Sequence, residues 1–193
     1  MTKFETLVAD VSACSICKNS LADGARPVFQ VHPDARILIA GQAPGRKVHE
    51  SGIPFDDASG KRLREWLGIS RETFYNPKNL AILPMGFCYP GTGKNGDLPP
   101  RPECEPAWRS QLLEQLPNIE VTIVLGKYAQ KYHFENTHGS LTELVKSWQE
   151  YWPKLVPLPH PSPRNNIWLS KNRWFEQELI PKLQSRLSTA LLK

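Results

Sequence analysis

Apolar residues in this chain gather in four short runs: Ile37 to Ala40, Leu80 to Leu83, Val121 to Leu125 and Leu155 to Leu158. Each run ends at Gly or Pro, and none shows the polar alternation of a half-solvated strand. That pattern predicts short strands buried on both faces, with loops at their carboxyl ends. Between the runs, apolar positions take helical spacing: Lys61 to Leu67, Ala107 to Leu116, Lys127 to Tyr132 and Leu141 to Trp152. A longer amphipathic stretch runs from Leu169 to Leu192, where Pro181 kinks or divides the helix. Strands alternating with helices predict an α/β domain built on a four-stranded parallel sheet, and ligands of such sheets bind beyond the carboxyl ends of the strands.

Composition adds limits. A chain of 193 residues suits one domain with one core, so residues 1–193 are expected to form a single unit. No segment approaches the roughly 20 apolar residues of a membrane span. The amphipathic start carries Glu5 and Asp10 and does not read as a secretory signal, so a cytoplasmic monomer is expected. The formal net charge is +5 and the pI about 9.1. From His160 onward there are six basic residues and two acidic ones. A basic tail of this kind faces a polyanion such as DNA or forms a solvated helix face.

The chemistry concentrates where strands end. The first strand runs into Gly41-Gln42-Ala43-Pro44-Gly45 and then Gly52-Ile53-Pro54-Phe55; the fourth runs into His160-Pro161-Ser162-Pro163-Arg164-Asn165. Either segment alone reads as a tight turn. Together, at opposite ends of one α/β domain, they resemble the two signature motifs of the uracil-DNA glycosylase superfamily, and the second is similar to that of the single-strand-selective monofunctional glycosylases. The resemblance covers about Cys14 to Phe175. It implies a three-layer α/β/α sandwich and hydrolysis of the N-glycosidic bond of uracil, or of a related damaged base, flipped out of DNA.

The resemblance also implies roles. Gly41, Gln42 and Ala43 present backbone amides to the base or the attacking water, Phe55 stacks on the base, and His160 donates to the pyrimidine O2 where charge collects. Ser162, Arg164 and Asn165 contact the strand beside the flipped nucleotide. Two departures stand out. Several members carry Asp, Asn or Glu where this chain has Gln42 and Ala43; another branch uses an Asp just after the stacking Phe, and resemblance to it implies that Asp57, with Asp56 second, positions water. The alternative is that both aspartates cap the helix beginning near Ser59. Related enzymes also place an Asn at the end of the second strand, where Pro84-Met85-Gly86-Phe87 stands here. Base recognition then falls to backbone groups, Gly86 among them.

Four cysteines, Cys14, Cys17, Cys88 and Cys104, offer soft thiolates suited to an iron–sulfur cluster or to zinc. Their placement resembles that of family 4 glycosylases, which implies a structural [4Fe-4S] cluster that pins an N-terminal segment, residues 1–30, onto the domain. It would also pin the loop Tyr89 to Pro102, whose Lys94 and Arg101 then lie near the DNA backbone. Other readings stay open: a non-catalytic DNA-binding protein that keeps the flipping pocket, and a zinc-stabilised domain acting on nucleotides. No lysine occupies a nucleophile position, so lyase activity is not expected. His32, His49, His133 and His138 match no metal spacing, and only His49 lies between the motifs. Trp148, Trp152, Trp168 and Trp174 recur at helical spacing and read as packing residues, with Trp168 near enough to the second motif to touch DNA.

Overall fold

Strands form where the apolar runs fall. A computed structural model of the chain describes residues 2–94, 96–134 and 139–192. In chain order its elements begin with α1 (Lys3–Ser12), β1 (Ile37–Ala40), α2 (Arg46–Ser51), α3 (Ala58–Leu67) and α4 (Arg71–Tyr75). Next come β2 (Leu80–Ile82), a hairpin of β3 (Thr92–Gly93) and β4 (Gly96–Asp97), α5 (Ser110–Glu114), β5 (Val121–Leu125) and α6 (Gly126–His133). The chain closes with α7 (Leu141–Lys146), β6 (Leu155–Leu158), α8 (Asn166–Lys171) and α9 (Ile180–Leu191).

The main sheet has the order β2-β1-β5-β6 and every pairing is parallel. Side chains alternate across it. Ile37, Ile39, Leu80 and Ile82 face a core shared with Leu63 of α3 and with Leu183 and Leu187 of α9. Leu38, Ala81 and Leu83 face the other side, against Val11 of α1 and Leu112 of α5. Helices therefore cover both faces, as the unbroken apolar runs require, and the result is a three-layer α/β/α sandwich.

Several local signals set the helix ends. Asp57 caps α3, its Oδ1 accepting the Gly60 N–H at 2.8 Å, and Gly68 ends that helix with φ of 65°. The long C-terminal pattern is divided. The α8 helix stops before Asn172, a five-residue π-turn spans Phe175–Leu179, and Pro181 stands in the first turn of α9. Leu179 and Ile180 keep helical dihedrals, so Pro181 directly follows the wider π-turn on continuous helical backbone, and the irregular turn stands where the proline lacks an N–H to donate. The exposed edge of β2 is covered by Gln30, which exchanges backbone hydrogen bonds with Ile82 at 2.7 and 3.0 Å. Among the described residues, no helix is long and apolar enough to cross a membrane.

The sheet order places β1 between β2 and β5, so the chain leaves β1 toward one edge and later returns to its other side. This reversal opens a crevice at the carboxyl ends of β1 and β5, where ligands of open α/β sheets bind.

Candidate active site

A cavity of about 450 Å³ lies beside that crevice, at the carboxyl ends of β1, β2 and β6. Its lining includes Gln42, Ala43, Phe55, Asp57, His160, Ser162, Arg164 and Asn165, so the loops after β1 and β6 meet over one space. Gly41 and Gly86 stand just behind it. Gly41 backs the Phe55 ring, whose Cζ is 3.5 Å from where a Gly41 side chain would begin. The Gly86 N–H donates to the Gln42 carbonyl at 3.0 Å, which fixes the end of β2 against the first motif without placing Gly86 on the cavity wall.

Phe55 is held in an unusual backbone state. Its φ is 55°, and it is the one described non-glycine residue with positive φ. A bulky side chain in the left-handed region costs free energy, so surrounding contacts must impose it. Two do so. The Phe55 ring meets Phe74 edge-on, with centroids 6.2 Å apart. Its carbonyl lies against Gly60, where any side chain would overlap it. Asp57 therefore caps α3 and lines the cavity at once, because the same turn that seats Phe55 begins that helix. Asp56 points elsewhere, to Arg71 at 3.2 Å, and does not line the cavity.

His160 is braced from several directions. The Asn165 Nδ2 donates to its carbonyl at 2.6 Å, and Arg62 of α3 donates to the Ser162 carbonyl at 3.1 Å, tying the second motif to the helix of the first. Gln130 of α6 donates to Leu158 O at 3.1 Å and holds the end of β6. Burial pushes the His160 imidazole below its ordinary value, against the opposing pull of the Asp57 and Asp97 charges. The ring is thus neutral at pH 7 and can donate one N–H without carrying charge.

Several residues here were not anticipated from the sequence. Asp97, at the end of the β3–β4 hairpin, faces the cavity, as do Ser59 and Val28. The Asn95-Gly96 pair was a turn signal that could have placed the hairpin. Arg109 is fully buried. It donates to Leu83 O at 2.6 Å, to Pro84 O at 3.0 Å and to His133 Nε2 at 2.8 Å, so it anchors the strand end that forms part of the cavity wall. Burial lowers the Arg109 pKa to about 10, and burial with the Arg109 charge lowers that of His133 to about 3. The remaining histidines take structural places. His49 packs on Tyr89 and His32 meets Asp34, while His138 lies outside the described residues. Trp168 packs among Trp174 and Phe175 and donates to Thr142 at 2.8 Å. Arg101 pairs with Glu103, and Lys94 is exposed.

The four cysteines are free thiols, and Cys17, Cys88 and Cys104 are buried. The Cys88 thiol is pushed up to about 12, first by burial and then by the charges of the other three cysteines, which places all four in one neighbourhood. Trp108 Nε1 donates to Cys14 Sγ at 3.1 Å and the Phe87 N–H to Cys104 Sγ at 3.5 Å. The Arg26 backbone N–H lies near Cys88 and opposes the effect of burial on its thiol. Donors aimed at sulfur suit thiolates that carry negative charge, so the chemistry fits a soft cationic centre. Among the described residues, however, no three His, Cys, Asp or Glu side chains stand as a closed metal-ligand set.

Comparison with known proteins agrees with this geometry. The family model described as Uracil DNA glycosylase superfamily matches residues 28–184. The chain is 28 % identical over 151 residues to the Type-4 uracil-DNA glycosylase of Sulfurisphaera tokodaii, covering 76 % of this chain and 64 % of that protein, less than two thirds of its length. Against the Type-4 uracil-DNA glycosylase of Saccharolobus solfataricus it is 24 % identical over 200 residues, covering 98 % of this chain and 88 % of the relative. The corresponding protein of Thermotoga maritima is 29 % identical over 160 residues, covering 79 % and 78 %.

Proposed function

The chain belongs to the uracil-DNA glycosylase superfamily, and on that premise we propose that it is a monofunctional DNA-repair hydrolase removing uracil, or a related damaged base, from DNA. The observation that carries the reading is the meeting of Phe55 and His160 in one cavity. Its volume of about 450 Å³ falls in the range of small-molecule sites and leaves room for a nucleobase with water.

In this reading the base swings out of the strand and stacks on Phe55. The glycosidic bond breaks with its electron pair going to the base, and His160, neutral and donating, stabilises the charge on O2 together with backbone amides at Gly41, Gln42 and Ala43. Asp57, on the cavity wall, orients the water that attacks the cationic sugar carbon; Asp56 is set aside by its pairing with Arg71. Ser162, Arg164 and Asn165 hold the strand at the cavity mouth, and Gly86 sets the base-reading backbone. Cys14, Cys17, Cys88 and Cys104 would hold a [4Fe-4S] cluster, or in the alternative zinc, which when bound cross-links the N-terminal segment to the loop after β2. The proposal takes residues 1–193 as one domain with segment 1–30 docked on it, acting as a monomer in the cytoplasm.

Purified protein incubated with uracil-containing single- and double-stranded oligonucleotides tests the reading. Alkali-labile abasic sites are the expected product. Their absence over a panel that includes hypoxanthine and 5-hydroxymethyluracil would overturn it. A second reading, a DNA-binding protein without turnover, is favoured by the engagement of Asp57 as a helix cap and by Gln42 and Ala43 in the first motif. It predicts DNA affinity with no abasic product, and no functional loss in Asp57→Asn.

A further inference from the structure

The site described above draws one carboxylate from the cap of α3, and a second reaches the same cavity from the β3–β4 hairpin. Asp97 ends the β3–β4 hairpin, its backbone paired with Thr92. Its Oδ2 stands 3.6 Å from where a side chain on Gly45 would begin, which puts the carboxylate over the turn from β1 into α2. Gln42, Phe55 and His160 line the same space, and the Asp97 charge acts on the His160 ring.

The two carboxylates are not equivalent. Asp57 accepts the Gly60 N–H at 2.8 Å, which ties its Oδ1 to the start of α3. Among the described residues, no donor engages the Asp97 carboxylate, and Asp97 is exposed. The hairpin itself is held in place from two sides. Leu98 N–H donates to Gly91 O at 2.8 Å, and the Arg164 guanidinium packs on Gly96, where any side chain would collide with it. Asp97 is thus presented toward the cavity by a braced turn rather than by a free loop end.

A neutral water attacking a cationic sugar must lose a proton, and the acceptor must be a base with no competing donor. We propose that Asp97 is a second catalytic carboxylate, taking the proton of the water that Asp57 orients. The balance is complete. The water oxygen forms the bond to the sugar carbon, the carbon–nitrogen bond breaks with its electrons leaving on the base, and the water proton passes to Asp97 and then to solvent. The anionic base takes a proton from solvent. This inference rests on the glycosylase reading above.

The test is single-turnover kinetics of Asp97→Asn, Asp57→Asn and the double variant on a uracil oligonucleotide, with thermal melting and DNA affinity measured alongside. A positioned general base contributes about 10²–10⁴-fold to a rate, so Asp97→Asn is expected to slow base release by about a hundredfold or more. Its melting temperature should be unchanged, its DNA affinity equal or tighter, and Asp97→Glu should recover part of the rate. Titration of His160 by NMR should move to lower pH in Asp97→Asn. An active wild type with Asp97→Asn within twofold of its rate overturns this inference and leaves the glycosylase reading standing. An inactive wild type overturns both. An unchanged His160 titration removes the geometric premise.

Discussion

Replacing Gly60 by alanine should damage the site more than its distance from any substrate suggests. A Cβ built on Gly60 lies 2.6 Å from the Phe55 carbonyl carbon and 2.7 Å from the Phe55 Cβ, and overlaps the carbonyl oxygen. Carbon atoms approach comfortably at about 3.5 Å, so the two backbones must separate by at least roughly 1 Å, and further to clear the carbonyl oxygen. Neither can yield cheaply. Gly60 lies inside α3, where its N–H is tied to Asp57, and Phe55 already occupies φ of 55°. Forcing atoms into a filled space costs about 1–3 kcal/mol, and contact with backbone places Gly60→Ala at the upper end. For a chain of this size each kcal/mol lowers Tm by about 2–4 °C, which gives an expected drop of about 6–12 °C. The catalytic loss should be larger still, because the displaced residue carries the stacking ring. Gly24→Ala is the control. Its φ is 81° but nothing lies within 4 Å, so only the left-handed penalty of about 1–2 kcal/mol applies, and activity should survive. Thermal melting, urea midpoints and single-turnover rates would be measured on both variants. If Gly60→Ala melts within about 2 °C of the wild type and keeps its rate, the claim that α3 enforces the Phe55 conformation is wrong.

Other predictions follow from the same geometry. His160→Ala should lower the rate of base release by about 10²–10³-fold while leaving DNA affinity largely intact, and a loss of binding equal to the loss of rate would deny His160 a role in the transition state. His133 titrates near pH 3 in the folded chain against an ordinary 6.5, so the unfolded chain takes up the proton first as pH falls. Stability is then full above about 6.5 and declines toward pH 3 by up to about 1.4 kcal/mol per unit, and His133→Gln should flatten the dependence of the urea midpoint on pH. Anaerobic loading with iron and sulfide should give a broad visible absorption that Cys88→Ser abolishes along with part of the thermal stability; a colourless protein with stoichiometric zinc would favour the other metal.

Much of the architecture was written in hydrophobic spacing. Three of the four apolar runs became strands with the expected ends, and β2 stopped one residue short of Leu83, because strands buried on both faces leave no room for polar interruptions. Phe55 and His160 were legible as motif residues, yet only folding could show that they face one space. What spacing could not reveal was contact between distant backbones. Gly60 reads as an ordinary small residue within a helix until the Phe55 carbonyl is seen against it. The dual position of Asp57 was likewise hidden, since capping and cavity lining had stood as alternatives. Asp97 escaped notice because a hairpin of two-residue strands has no periodicity to detect. The C-terminal pattern was read as a long amphipathic run kinked or divided at Pro181. Its division arises at Asn172 and the π-turn, ahead of the proline that had been expected to mark it.

Arg26 gives the boundaries of the molecule a practical meaning. Its guanidinium donates to the carbonyls of His49 and Glu50 at 2.6 and 2.8 Å, closing the last turn of α2, while its own backbone N–H lies near Cys88. The family match starts two residues later, at position 28. A shortened protein or a chimera cut at that border would inherit both loop motifs yet lose Cys14, Cys17 and the clasp between the cysteine corner and the turn leading to Phe55, so grafts among relatives should carry the first 27 residues with them.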